Sequence, residues 1–105
     1  MSAATHRVRV ELPLHLMRLA SLSGHETTLA IAEPVTLRAV LDELEAKYPA
    51  LQGTIRDHMT RKRRDFLRFF VCSEDWSHRS PDDLLPEEIV SGKEPLLVIG
   101  AIAGG

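Results

Sequence analysis

The chain has 105 residues, 44% hydrophobic and 27% charged, with a formal net charge of -2. That length predicts one domain spanning 1–105, which buries roughly 60–70% of its unfolded surface without a metal or disulfide staple, and the near-neutral charge excludes general attraction to nucleic acid or anionic membrane. A single cysteine rules out an internal disulfide, no apolar run nears the roughly 20 residues that cross a bilayer, and Met1 to His6 lacks a signal-peptide core, so a cytoplasmic location is expected.

From Arg7 to Leu16, Val8, Val10, Leu12, Leu14 and Leu16 alternate with more polar residues, the pattern of a half-buried strand. Pro13 cannot donate to a ladder, so either the regular strand ends near Leu12 or position 13 faces outward. Met17 to Leu22 reads as an irregular or briefly helical connector. Ser23-Gly24-His25-Glu26 is a turn before the β-forming stretch Thr27 to Ala32, completing an antiparallel hairpin with a bulky loop. The clearest helix follows: Thr36 is its N-cap, Val35 and Val40 suit a hydrophobic staple, and Leu37, Val40, Leu41, Leu44 and Tyr48 form one stripe that Pro49 ends. Leu51, Ile55 and Met59 suggest a second, shorter helical segment across Gly53. Phe66 to Cys72 reads as a third strand, and Ser73 to Glu94 as turn-rich chain with a short strand or single helical turn around Leu84-Leu85.

The last strand, Leu96 to Ile102, constrains the topology. Leu96, Val98 and Ile102 share one face, Leu97, Ile99 and Ala101 the other, and neither face is polar. Such a strand belongs in the centre of a sheet. With the hairpin and the crossover helix it predicts an α+β, β-grasp (ubiquitin-like) fold: a mixed sheet with one main helix packed across it. The sheet face away from the helix is then partly apolar and open, the signature of a binding surface. Beyond the strand stand Gly104 and Gly105, side-chain-free residues that make a thin, pliable thread. Read alone, such a pair is either a frayed end or a reactive one; rooted in a rigid central strand, it becomes the expected chemical site.

Three passages carry a family resemblance: the ending Gly100-Ala101-Ile102-Ala103-Gly104-Gly105, the Leu-rich segment Leu16 to Gly24, and the helix-to-Tyr-Pro passage Thr36 to Pro49. Together they resemble the MoaD/ThiS family of ubiquitin-like sulfur carrier proteins, whose members include the small subunit of molybdopterin synthase and the carrier for thiamine thiazole synthesis. Val71-Cys72-Ser73-Glu74-Asp75 stands where many members have Val-Asn-Gly-Glu-Asp, so a longer or differently shaped turn is expected there. Gly100 replaces a frequent proline, and Trp76 to Ser91 departs from the family pattern.

The resemblance implies that the flexible tail, 101–105, is the working part. An E1-like adenylating enzyme would use ATP to activate the Gly105 carboxylate, and sulfide would then displace AMP to leave a thiocarboxylate. No cofactor would be bound, no side chain would be catalytic, and the protein would be a substrate rather than an enzyme. The recipient would be a sulfur-acceptor enzyme such as the molybdopterin synthase large subunit. Gly104 would keep the thread slim, and Ile99, Ala101, Ile102 and Ala103 would touch partners. The alternative roles are a ubiquitin-like protein modifier or non-covalent interaction module, or a carrier serving thiazole or cysteine synthesis.

The remaining signals read as structural or open. Cys72, after Phe69-Phe70-Val71, reads as packed and inert. Five scattered histidines lack the spacing of a metal site, so no metal is expected. Arg61-Lys62-Arg63-Arg64 reads as a solvated basic loop or a dock for an acidic partner or phosphate. Trp76 is a cap over the sheet edge or a partner anchor.

Overall fold

A computed structural model of the chain describes residues 4–100. The elements are β1 (Thr5–Glu11), α1 (Leu14–Leu19), β2 (Glu26–Ala32), α2 (Leu37–Lys47), a 3-10 turn (Pro49–Leu51), β3 (Leu67–Val71), β4 (Glu74–Asp75), α3 (Glu87–Val90) and β5 (Leu96–Gly100). They form a five-stranded mixed sheet ordered β2-β1-β5-β3-β4, with β1 and β5 parallel and the other pairs antiparallel. β5 is the middle strand, as its two apolar faces require. This is the β-grasp arrangement.

Strand alternation fills the core side. Val8 and Val10 of β1, Leu29 and Ile31 of β2, Leu67, Phe69 and Val71 of β3, and Leu96 and Val98 of β5 are all buried. α2 lays Leu37, Val40, Leu41 and Leu44 into the same core. Each such side chain contributes about 1.5–3 kcal/mol when fully removed from water. At the start of α2, Thr36 Oγ1 accepts from the Ala39 amide at 3.1 Å, and at its end the Tyr48 hydroxyl bonds to Thr27 Oγ1 of β2 at 2.7 Å. The tyrosine of the Tyr-Pro passage thus ties the helix to the sheet, while Pro49 turns the chain away.

Several local expectations change. β1 ends at Glu11, and Pro13 becomes the N-cap of α1, so the chain from Leu14 is helical rather than extended; Leu14 points to solvent and Leu16 inward. Leu51, Ile55 and Met59 do not share a helix. Gly53, at φ +80°, breaks away from the 3-10 turn, and Asp57 Oδ1 then accepts from the Met59 and Thr60 amides at 2.9 Å each. Leu51 and Ile55 are buried, but Met59 is 85% exposed. This loop closes through an antiparallel bridge between Arg56 and Arg63, not through helical bonds. Phe66 lies outside β3 and is exposed.

The β3–β4 turn is neither packed nor long. Val71 pairs with Glu74, leaving only Cys72 and Ser73 as the loop, with φ of 49° and 70°. Two-residue hairpin loops favour positive φ at both positions because it matches the strand twist, and glycine or asparagine normally supplies it. Cys72 is exposed, so the packed cysteine is corrected. Partial desolvation, with Glu88, Glu94 and Glu74 nearby, pushes its thiol up from its ordinary value, away from the nucleophilic thiolate. Beyond the turn, Leu84 bridges to Thr36 and the helical turn falls at Glu87–Val90. Gly92, at φ +80°, brings its Cα against Arg7, where an added Cβ would stand 2.9 Å from the Arg7 carbonyl oxygen. Arg9 bonds to the Gly92 and Lys93 carbonyls at 2.9 and 3.1 Å, locking the approach to β5 onto β1.

Candidate functional site: the open sheet face and the root of the tail

The face of the sheet opposite α2 carries the candidate interaction surface. On β5 it presents Leu97, half-buried, and Ile99, 41% exposed. Register places Phe70 of β3 beside Leu97 and Arg68 beside Ile99, while Glu11 of β1 lies opposite Leu97 on the other side. The result is a short apolar ridge, Phe70, Leu97 and Ile99, with charged neighbours. Arg68 is held by Asp75 at 3.1 Å, and Asp75 is lowered from the ordinary carboxylate range by the Ser77 hydroxyl and amide, with Arg68 adding to them. An apolar ridge with a charged rim is the composition of a partner-contact surface.

The last described residue of β5, Gly100, sits at one end of this ridge in a groove of about 310 Å³ whose walls include Pro13, His25 and Ile99. The β1–α1 connection builds one wall because two bonds stitch it to the start of β2: the Leu12 amide donates to the His25 carbonyl at 2.6 Å, and His25 Nδ1 lies 3.0 Å from the Leu12 carbonyl. A Cβ at position 100 would meet His15 Cε1 at 3.2 Å and Pro13 Cβ at 3.8 Å. Contact at 3.2 Å is tighter than ordinary packing, so glycine lets the end of β5 lie close against His15. The short helix α1 is therefore what brings His15 against Gly100, although the reading of this stretch as strand missed it.

Of the expected site residues, Ile99 lies on the ridge. Ala101, Ile102, Ala103, Gly104 and Gly105 lie outside the described residues. Trp76 is corrected. It is 5% exposed within the core, its amide bonds to the Phe69 carbonyl at 2.7 Å, and Arg79 stacks over its ring at 4.2 Å. Its indole caps the sheet and is not free to anchor a partner. The observed register accounts for this: Asp75 pairs with Phe70, so the next residue falls beside Phe69 and points the same way, into the core. Among the described residues, no group of three or more histidine, cysteine, aspartate or glutamate side chains is placed to hold a metal, and no helix is long and apolar enough to cross a membrane.

One feature had no sequence signal. Arg56 is 4% exposed, and its guanidinium bonds to Glu45 at 2.9 Å and Asp42 at 2.8 Å; Arg61 reaches the same Glu45 at 3.2 Å. Burial opposes the charge on Arg56, but the bonds from Glu45 and Asp42 outweigh it and raise its pKa. Here the basic loop is bound to α2, not simply solvated.

No family model matches the chain, and neither does any curated protein. Solved structures do. The crystal structure of SAMP1 from Haloferax volcanii aligns with a TM-score of 0.72 at 16% identity, over 94% of this chain and 99% of that one. A second crystal structure, of the H. volcanii small archaeal modifier protein 1, gives 0.73 at 14% identity over 92% and 99%. The solution structure of the same-named protein from Methanosarcina acetivorans gives 0.71 at 20% identity over 98% and 100%. At these identities the likeness is one of fold, and it covers nearly the whole chain.

Proposed function

We propose that the protein is a ubiquitin-like carrier whose chemical group is the carboxylate of Gly105, presented to an adenylating enzyme and used as a thiocarboxylate. The observation that carries this reading is β5: the central strand of the sheet delivers Gly100 to the surface beside an apolar ridge, and the sequence runs on from there as Ala-Ile-Ala-Gly-Gly. A carboxylate is a poor electrophile until activated. Attack of its oxygen on the α-phosphate of ATP releases pyrophosphate and gives an acyl-adenylate; sulfide then displaces AMP to form the thiocarboxylate. The carrier supplies the thread and the docking ridge, while the partner supplies acid, base and oxyanion stabilisation. Among possible acceptors, the family resemblance favours the molybdopterin synthase large subunit.

A second reading, attachment of Gly105 to lysine amines of other proteins, is supported by the structural neighbours, two of which are described as small archaeal modifier proteins. Both readings share the adenylation step and divide after it. Intact mass of the protein incubated with an E1-like adenylating enzyme, ATP and a sulfur donor tests the first: oxygen-to-sulfur exchange at Gly105 is expected. Isopeptide-linked conjugates without that exchange would establish the second instead. Absence of both would reject the carrier assignment.

A further inference from the structure

We infer that the cavity between the start of α2 and the Thr60–Arg63 loop is a binding site for a small organic phosphate, of the phosphate monoester or diphosphate class. It shares no wall residue with the groove at Gly100, and the inference is independent of the tail chemistry.

The cavity measures about 370 Å³, the size of a small-ligand pocket. Its walls carry six cationic side chains, Arg38, Arg56, Arg61, Lys62, Arg63 and Arg79, in a protein whose formal net charge is -2. Carboxylates neutralise four of them: Asp82 holds Arg38, Asp42 and Glu45 hold Arg56 and Arg61, and Asp83 lies 3.9 Å from Arg79. Lys62 and Arg63 have no carboxylate partner among the described residues.

Arg63 is the decisive residue. Its Nε donates to the Ser77 carbonyl at 3.2 Å, and one terminal nitrogen donates to the Arg64 and Leu67 carbonyls at 3.1 and 2.7 Å. Neutral carbonyls fix the guanidinium in place without cancelling its charge, and a rigid, uncompensated guanidinium favours an anion with oxygens to accept its remaining hydrogens. The hydroxyls of Ser77 and Thr60 border the cavity but are already engaged: they accept from the Phe69 and Lys62 amides at 2.9 and 3.3 Å and donate to the Asp75 and Asp57 carboxylates. Recognition therefore rests on Lys62 and the remaining N–H groups of Arg63. Leu37, Leu41 and Phe69 line the cavity floor, giving an organic body an apolar surface to rest on. A carboxylate ligand would use the same charge but fewer oxygens, so phosphate is the better match.

The test is titration of the isotope-labelled full chain, followed by amide NMR, with inorganic pyrophosphate in one arm and ADP in another, both at constant ionic strength set by sodium chloride. Saturable shifts confined to the amides around Thr60–Arg63 and Ser77–Arg79 are expected. Tighter binding of ADP would point to a nucleotide, and equal binding to the phosphates alone. Lys62→Gln, at an exposed side chain, should weaken binding about tenfold, and Arg63→Gln at least as much. Arg63→Gln also removes structural bonds, so Lys62→Gln serves as the decisive variant if it fails to fold. Non-saturating shifts, shifts reproduced by chloride, or unchanged affinity in Lys62→Gln would overturn the assignment. So would tighter binding of poly-glutamate than of pyrophosphate, which would make the site a dock for acidic peptide.

Discussion

The open face of the sheet and the loop between the 3-10 turn and β3 are held in place by opposite means. On the open face, Phe70, Leu97 and Ile99 stand on hydrogen-bonded strands whose other side is packed into the core, so position is set by ladder register and burial beneath. The loop has almost no regular structure. It is positioned by polar contacts: the Asp57 turn, the Arg56–Arg63 bridge and the buried pairing of Arg56 with Glu45. A surface built on strands can change its side chains and keep its shape. A surface built on ion pairs depends on almost every partner it has.

That contrast can be broken most severely at Glu45. Its carboxylate bonds to both Arg56 and Arg61, so Glu45→Ala leaves a buried guanidinium short of its partner and should destabilise the protein by about 3–5 kcal/mol in denaturant unfolding. Glu45→Leu combined with Arg56→Met should recover much of that loss, because no buried charge is then stranded. Equal losses in the single and double variants would show that the loop is held by packing instead.

On the other side of the comparison, Gly105→Ala should leave unfolding unchanged and slow adenylation by about a hundredfold in a pyrophosphate-exchange assay, since an added Cβ crowds the carbonyl carbon and displaces it within the partner's site. Gly104→Ala should slow it less. Wild-type rates for both would refute the steric reading of the tail. Ile99→Lys sharpens the claim that the ridge is a contact surface. It should weaken association with the adenylating partner about tenfold while shifting stability little, because the side chain already meets solvent; an unchanged affinity would remove the ridge from the interface.

The smallest effect lies in acid. Backbone amides of Thr60 and Met59 hold the Asp57 carboxyl below its ordinary value. A lowered folded-state value means that this contribution is present above the ordinary carboxylate range and is lost as pH falls through the lower, folded value. The amides of residues 57–62 should therefore lose order on acidification before those of β5 do, and Asp57→Ala should abolish the difference. NMR across an acid titration would show it, and simultaneous loss in both regions would contradict it.

What could be read beforehand follows the same division. The two apolar faces of β5, the stripe and cap of α2, and the β1–β2 hairpin are local patterns, and local patterns carried the topology. Pro13 announced a break, but whether strand or helix followed depended on Leu16 finding the core. Leu51 and Ile55 looked helical because both are buried, and burial without a ladder has no period. The partnership of Arg56 with Glu45 left no trace in local patterning: two charged residues eleven positions apart declare nothing until the loop folds back. Trp76 could be read as a cap or as a partner anchor because its polar neighbours fit either, and strand register decided for the cap.

The parallel pairing of β1 with β5 joins residues near position 10 to residues near position 96. Hairpin and helix can form while the chain is still being made, but one edge of β1 and one edge of β3 stay open until residues 96–100 have left the ribosome. Closure of the sheet is thus a late, long-range event in synthesis. A chain interrupted before residue 96 lacks the strand that joins β1 to β3, so it presents two open inner sheet edges, each free to pair with another chain, until β5 arrives.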